Sequence, residues 1–117
     1  MEPADSAIDL ATAFEALLAS SDEKTEINYR LKLRASLLLG SEFEDRSLIS
    51  KHMGQLYTLR SKGVHGGSLA GNSSTTRTTV DWAEKACQQL LRMVVEAGQL
   101  PNLKKLELTG NTLMAFG

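Results

Sequence analysis

The chain has little of several features that would define a protein class. Cys87 is its only cysteine, so no disulfide can form within the chain, and a cytoplasmic setting is favoured. No apolar run approaches the roughly 20 residues that a membrane-spanning helix requires. The first residues, Met1-Glu2-Pro3-Ala4-Asp5, do not resemble a signal peptide. We therefore expect a soluble protein that does not interact with a membrane.

An excess of charge is also absent. The formal net charge is −1 over 117 residues, which provides no global field to attract nucleic acid. The charges are nevertheless unevenly distributed, because residues 24–92 contain eleven basic side chains and six acidic ones. A local basic patch on a neutral body is one interpretation, and solvated helix faces of mixed sign are the other.

Metal-binding and nucleotide-binding patterns are missing too. His52, His65 and Cys87 are too few and too scattered for a zinc site. The glycine-rich segment after His65 lacks the Gly-Lys-Ser/Thr of a phosphate-binding loop. We expect neither a metal nor a cofactor, and we interpret His52 and Cys87 as structural residues.

The chain does contain apolar residues at helical spacing, enough for one modest core. This spacing predicts helices at about 5–20, 24–39, 44 to 62 or 64, and 79–98, a polar loop at 66–79, a short helical piece at 101–108 and a frayed tail. We therefore predict an all-α bundle of four to five helices. The single domain fills 1–117, with its core in about 5–98 and a short extension at 99–117.

Charged residues interrupt three of these apolar stripes. Arg60 falls in the middle of the apolar arc of the third helix, and burial of an unpaired guanidinium would cost several kcal/mol. Arg60 therefore either meets an acid inside the bundle or lines a cleft or interface. Glu15 lies at the margin of the first apolar face and Arg34 lies within the second. Glu15 could pair with Arg34 or with Arg60, and Arg34 could instead reach solvent along its helix edge.

His65 follows Arg60 by five positions. Histidine suits proton transfer near neutral pH, and arginine suits a forked grip on phosphate, so the two supply the minimum for metal-free RNA cleavage. On a straight helix the two side chains would diverge by about 140°. They can converge if the glycines unwind the helix end, or if a second copy contributes its pair across a two-fold axis.

This segment, Arg60-Ser61-Lys62-Gly63-Val64-His65, resembles the Arg-x4-His hallmark of the HEPN superfamily. The wider pattern is similar to the Apea-like HEPN branch, and the resemblance covers about residues 8–98. The supporting segments are Ala13-Phe14-Glu15-Ala16-Leu17-Leu18, Lys24-Thr25-Glu26-Ile27, Tyr29-Arg30, Arg34-Ala35, Leu56-Tyr57-Thr58-Leu59-Arg60-Ser61 and His65-Gly66-Gly67.

The resemblance implies an all-α, HEPN-like four- to five-helix bundle, and a homodimer with the two hallmark segments near the interface. In active members it also implies metal-independent endoribonuclease activity, often in toxin–antitoxin or antiviral defence systems. Arg60 and His65 carry over as the catalytic pair, and Ser61 stands where many active members have Asn, Asp or His. An antitoxin is an expected partner because active members often belong to toxin–antitoxin systems. A fused domain is another, because members also occur as domains of larger proteins.

The leading hypothesis is a ribonuclease in which His65 moves a proton and Arg60 stabilises the transition state. Lys62 would add phosphate attraction and Glu15 would orient Arg60, with Arg34 and Tyr57 as further supporting residues. One alternative is a non-catalytic HEPN module for dimerisation and for protein or nucleotide binding. Another is a helical dimerisation domain in which Arg60 and Glu15 merely form a buried pair, with Tyr57 packed in the core or at the dimer interface.

Overall fold

A computed structural model describes residues 3–20, 26–64 and 73–117 of the chain, and it confirms the all-α bundle. The helices are α1 (Pro3–Leu18), α2 (Ile27–Leu39), α3 (Phe43–Val64), α4 (Ser73–Ala97), α5 (Leu103–Thr109) and α6 (Thr112–Ala115). None of the helices in the described part of the chain is both long and apolar enough to cross a membrane.

The bundle is built around α3, which packs against α1, α2 and α4. Residues at helical spacing from each of these helices, together with α5, meet in one apolar core. The largest apolar side chains that are almost fully buried are Phe14, Leu18, Leu31, Met53, Leu56, Leu90 and Leu106. Cys87 is buried in the same core, as its apolar neighbours indicate.

The start of α4 differs from the sequence prediction. The helix begins at Ser73, so the predicted polar loop over 66–79 is wrong for residues 73–79, while residues 65–72 lie outside the described part of the chain. Thr76 and Thr79 are only 3% and 1% exposed, on the same face as Val80. Their burial against the bundle overrides the low helix propensity of threonine.

The short helical piece predicted at 101–108 is confirmed by α5, whereas the prediction that the tail after it would fray is wrong, because α6 follows. The Asn102 side chain accepts a hydrogen bond from the backbone N–H of Lys105 at 3.0 Å and so caps α5. Asn111 caps α6 in the same way, through the N–H of Leu113 at 2.9 Å. The Thr112 hydroxyl then donates to the Leu37 carbonyl at 3.2 Å, which fastens the tail to α2.

The start of α2 is also later than the predicted residue 24. The first helical residue is Ile27, and it follows Glu26, whose φ of 56° places it in the left-handed region. A residue in that conformation cannot continue an α-helix. Residues 21–25 lie outside the described part of the chain.

Candidate functional site

Arg60 meets an acidic partner between α1 and α3. Its Nη1 forms an ion pair with Oε1 of Glu15, and the Tyr57 hydroxyl donates to the same oxygen at 3.1 Å. The Tyr57 hydroxyl also lies 3.3 Å from the Ala11 carbonyl oxygen. The Cζ atom of Arg60 lies 5.7 Å from the centroid of the Tyr57 ring, within cation–π range. Of the pairings that the sequence left open, the one between Glu15 and Arg60 is present.

Helical spacing explains why these side chains converge. Tyr57 and Arg60 are three residues apart on α3, and Ala11 and Glu15 are four residues apart on α1, so each couple shares one helix face. The two helices pack against each other, which brings the two faces together. The sequence offered this pair as one of two alternatives, and the packing of α1 against α3 decides between them.

The ion pair lies at the margin of the bundle rather than in its core. The side chains of Arg60 and Glu15 are 32% and 29% exposed. Water screens a pair of this kind, so its net contribution to the free energy of unfolding is about 1 kcal/mol or less. Its main effect is to fix the direction of the Arg60 guanidinium, which also rests on the Tyr57 ring.

Burial raises the pKa of the Tyr57 phenol well above its usual value, and the Glu15 carboxylate raises it further through its charge and its hydrogen bond. The Arg60 charge opposes these effects. The phenol therefore stays protonated in the folded protein and donates to Glu15. The folded chain retains this proton at a pH at which the unfolded chain releases it, so the free energy of unfolding decreases as the pH rises above about 10.

This leads to a prediction for alkaline pH. The chain has two tyrosines, so Tyr29→Phe leaves Tyr57 as the only one. Between about pH 9 and 11, we expect no phenolate absorbance from the folded variant. We expect this absorbance to appear when urea unfolds the variant. Tyr57→Phe is the control. Its free energy of unfolding should decrease less than that of the wild type as the pH rises above about 10, because it lacks the Tyr57 phenol. A phenolate that forms in the folded Tyr29→Phe variant near pH 10 would contradict the buried environment of Tyr57.

The other residues of the predicted site lie in different places. Ser61 and Lys62 are exposed on the last turn of α3, one and two positions after Arg60. His65 lies outside the described residues. Tyr57 was expected in the core or at a dimer interface, and it does pack against the apolar core, while its hydrogen bond to Glu15 also makes it part of the Arg60 cluster.

Arg34 occupies a separate, buried cluster. It is only 3% exposed, its Nε donates to Oε1 of Glu107 at 2.9 Å, and its Nη1 donates to the Leu18 carbonyl at 2.7 Å. The expectations that Arg34 would reach solvent or pair with Glu15 are therefore wrong. A buried guanidinium requires a counter-charge and acceptors, and the tail and the end of α1 provide them.

Glu107 is the partner that sequence reasoning missed. A signal was nevertheless present, because Glu107 is the only acidic residue after Glu96. It follows Leu103 by four positions and adjoins the buried Leu106, so it shares the inward face of α5. A charge on the apolar face of a short terminal helix indicates a buried partner elsewhere.

His52 is held by ring stacking. Its ring centroid lies 4.9 Å from that of Trp82, and Trp82 in turn stacks on Phe14 at 6.4 Å. Its buried Nδ1 has no hydrogen-bond partner among the described residues. Cys87 is not suited to act as a nucleophile, because burial raises the pKa of its thiol and so disfavours the reactive thiolate.

In the ranges 3–20, 26–64 and 73–117, no group of three His, Cys, Asp or Glu side chains is arranged to hold a metal ion. The two charged clusters, Arg60 with Glu15 and Arg34 with Glu107, are thus the candidates for function. Comparison of the chain with protein-family models, with curated proteins and with solved structures found no match.

Proposed function

We propose that this chain is a HEPN-type ribonuclease domain in which Arg60 and His65 cleave RNA without a metal ion. The observation that supports this most directly is the position, orientation and partial exposure of Arg60. It lies five positions before His65, and its guanidinium is held in one direction by Glu15 and Tyr57 while its side chain remains 32% exposed. The exposed part of this side chain can therefore meet a phosphate from solvent.

The contacts of Arg60 leave room for a phosphate. Among the contacts that join described residues, the ion pair with Glu15 involves Nη1. A guanidinium carries five N–H donors in a rigid fork, so further donors can bind phosphate oxygens. Lys62, exposed two positions later, adds a second positive charge at the same end of α3.

The proposed reaction uses the RNA's own 2′-hydroxyl as nucleophile. His65 accepts the 2′-hydroxyl proton, the 2′-oxygen attacks the adjacent phosphorus, and the bond to the 5′-oxygen breaks. A proton returns to the departing 5′-oxygen, so the products are a 2′,3′-cyclic phosphate and a 5′-hydroxyl. Arg60 stabilises the negative charge that develops on the phosphate oxygens in the transition state.

The resemblance to HEPN domains extends the proposal to assembly and setting. A homodimer would bring two Arg60-to-His65 segments together across a two-fold axis. The setting we propose is the cytoplasm, in a toxin or an antiviral defence system, with an antitoxin or a fused domain as the regulating partner.

Metal-free cleavage of a short single-stranded RNA in EDTA tests this proposal. We expect 2′,3′-cyclic phosphate and 5′-hydroxyl ends, identified by mass spectrometry, and no cleavage of the matching all-2′-deoxy strand. The deoxy strand is the control, because it keeps the phosphates but lacks the nucleophile. Absence of cleavage, a requirement for metal, or cleavage of the deoxy strand would each contradict the proposal.

A second candidate is a non-catalytic HEPN module, and the pairing of Arg60 with Glu15 favours it. A carboxylate on the guanidinium offsets the charge that a phosphate would otherwise meet. Binding to generic RNA at increasing salt separates the two candidates. Binding that weakens steeply with salt supports the ribonuclease, and no binding at any salt supports the module.

A further inference from the structure

Glu15 contacts Arg60 in the way that an anionic ligand would. Its Oε1 atom accepts a hydrogen bond from Nη1 of Arg60. A guanidinium fork binds carboxylate and phosphate oxygens with the same N–H donors. A phosphate that approaches Arg60 therefore meets a guanidinium that already carries a carboxylate of its own chain.

Tyr57 holds this carboxylate beside the guanidinium. Its hydroxyl donates to the same Oε1 atom of Glu15 at 3.1 Å, and its ring packs against the apolar core. Burial and the charge of Glu15 raise the pKa of the phenol, so the hydroxyl remains a donor at neutral pH. Two donors on one carboxylate oxygen keep Glu15 next to Arg60 rather than free in solvent.

The ion pair is nevertheless open to a competing anion. The side chains of Arg60 and Glu15 are each about one-third exposed, and water compensates when such a pair separates. Arg34 differs, because it is almost completely buried against Glu107 and its separation from that partner would be far more costly. Of the two charged clusters, the one at Arg60 is the one that a dissolved anion can enter.

We propose that Glu15 competes with an RNA phosphate for Arg60 and so acts as a built-in restraint on RNA binding. The inference rests on the proposed function, which identifies the incoming anion as an RNA phosphate. A phosphate that displaces Glu15 has to separate the ion pair, and a phosphate that binds beside it is repelled by a like charge. Two unit charges about 4 Å apart repel each other in bulk water by an amount that corresponds to about a fivefold change in Kd.

Binding of the full chain to a fluorescently labelled all-2′-deoxy strand, measured by fluorescence anisotropy, tests this inference. The strand carries the phosphates but lacks the 2′-hydroxyl nucleophile, so binding is measured apart from cleavage. Glu15→Gln keeps a side-chain oxygen that can accept from Arg60 and Tyr57, and it removes only the charge. We expect this variant to bind the strand about fivefold more tightly than the wild type, or better.

Asp9→Asn is the matched control. Asp9 is an exposed acid on the same helix, and its replacement changes the net charge by the same amount. We expect its Kd to stay within about twofold of the wild-type value, because salt screens an exposed charge away from the site. In an Arg60→Gln background, Glu15→Gln should no longer tighten binding, because the competed group is gone. Thermal melting checks that each variant folds.

Three results would overturn the inference: equal Kd values for Glu15→Gln and Asp9→Asn, a gain in affinity that persists in the Arg60→Gln background, or no binding by either the wild type or Glu15→Gln. The outcome for the proposed function is separate. If Glu15→Gln binds more tightly but the wild type does not cleave RNA, the competition is supported and the ribonuclease is contradicted. If the wild type cleaves RNA and Glu15→Gln leaves the Kd unchanged, the reverse holds.

Discussion

Arg34→Met is expected to lower the free energy of unfolding by about 3 kcal/mol, because it removes one partner of a buried ion pair. Methionine replaces much of the arginine stem but carries no charge and no N–H donor. Glu107 would lose its 2.9 Å partner, and the Leu18 carbonyl would lose its 2.7 Å donor. Glu107 is 25% exposed, so water compensates in part, which places the expected loss at the lower end for buried pairs.

Urea denaturation followed by circular dichroism measures this loss, with Arg30→Gln as the comparison. Arg30 contacts the same carboxylate at 3.9 Å with a side chain that is 39% exposed, so its replacement should cost less than about 1 kcal/mol. A double-mutant cycle with Glu107→Gln should then show coupling of about 1 kcal/mol or more between Arg34 and Glu107. An Arg34→Met loss no larger than that of Arg30→Gln would contradict the buried role of Arg34.

Arg60→Ala is expected to reduce the RNA cleavage rate by about a hundredfold or more while leaving the chain folded. Removal of one preorganised donor to a transition-state oxygen typically costs about 10²–10³ in rate. The structural cost should be small by comparison, about 1 kcal/mol or less, because the Arg60–Glu15 pair is about one-third exposed. Single-turnover cleavage in EDTA and thermal melting measure the two effects separately.

Two variants serve as controls for this result. Arg92→Ala removes an exposed cation from α4 and should cleave at the wild-type rate. Arg60→Lys keeps the charge but lacks the forked donor geometry, so its rate should fall between those of the wild type and Arg60→Ala. A folded Arg60→Ala variant that cleaves as fast as Arg92→Ala would remove Arg60 from the mechanism.

The sequence predicts those parts of the molecule that depend on local periodicity. The apolar spacing predicts α1 and α3 closely, and the same spacing places Arg60 and Glu15 on facing stripes. A charge within an apolar arc needs a partner or access to solvent, and Glu15 was the candidate acid on the first helix. The helical wheels did not decide whether Glu15 pairs with Arg34 or with Arg60.

The features that the sequence did not predict depend on tertiary contacts. Arg34 and Glu107 are 73 positions apart, and no local pattern joins them. The first turns of α4 are rich in serine and threonine, and they are helical where the sequence indicated a loop, with Thr76 and Thr79 buried against the bundle. The short tail helices depend in turn on docking to the rest of the chain, since helices of this length are not stable alone.

Arg34 and Arg60, the two arginines that interrupt predicted apolar stripes, therefore have different environments. Arg34 is almost completely enclosed, with its charge matched by Glu107 and its hydrogen bonds directed to the protein. Arg60 lies at the margin, oriented by Glu15 and Tyr57 and still partly in contact with water. The first arrangement stabilises the fold. The second is the one suited to an RNA phosphate.

The most direct test is the single-turnover rate of RNA cleavage in EDTA, measured for Arg60→Ala, His65→Ala and the double variant. It asks whether the two side chains serve one reaction. When two residues act as a unit, removal of either one already abolishes their joint effect on the rate. We therefore predict that the double variant is no slower than the slower single variant. Losses that multiply in the double variant, or single variants that match the wild type, would show instead that the guanidinium and the imidazole do not act as one catalytic unit.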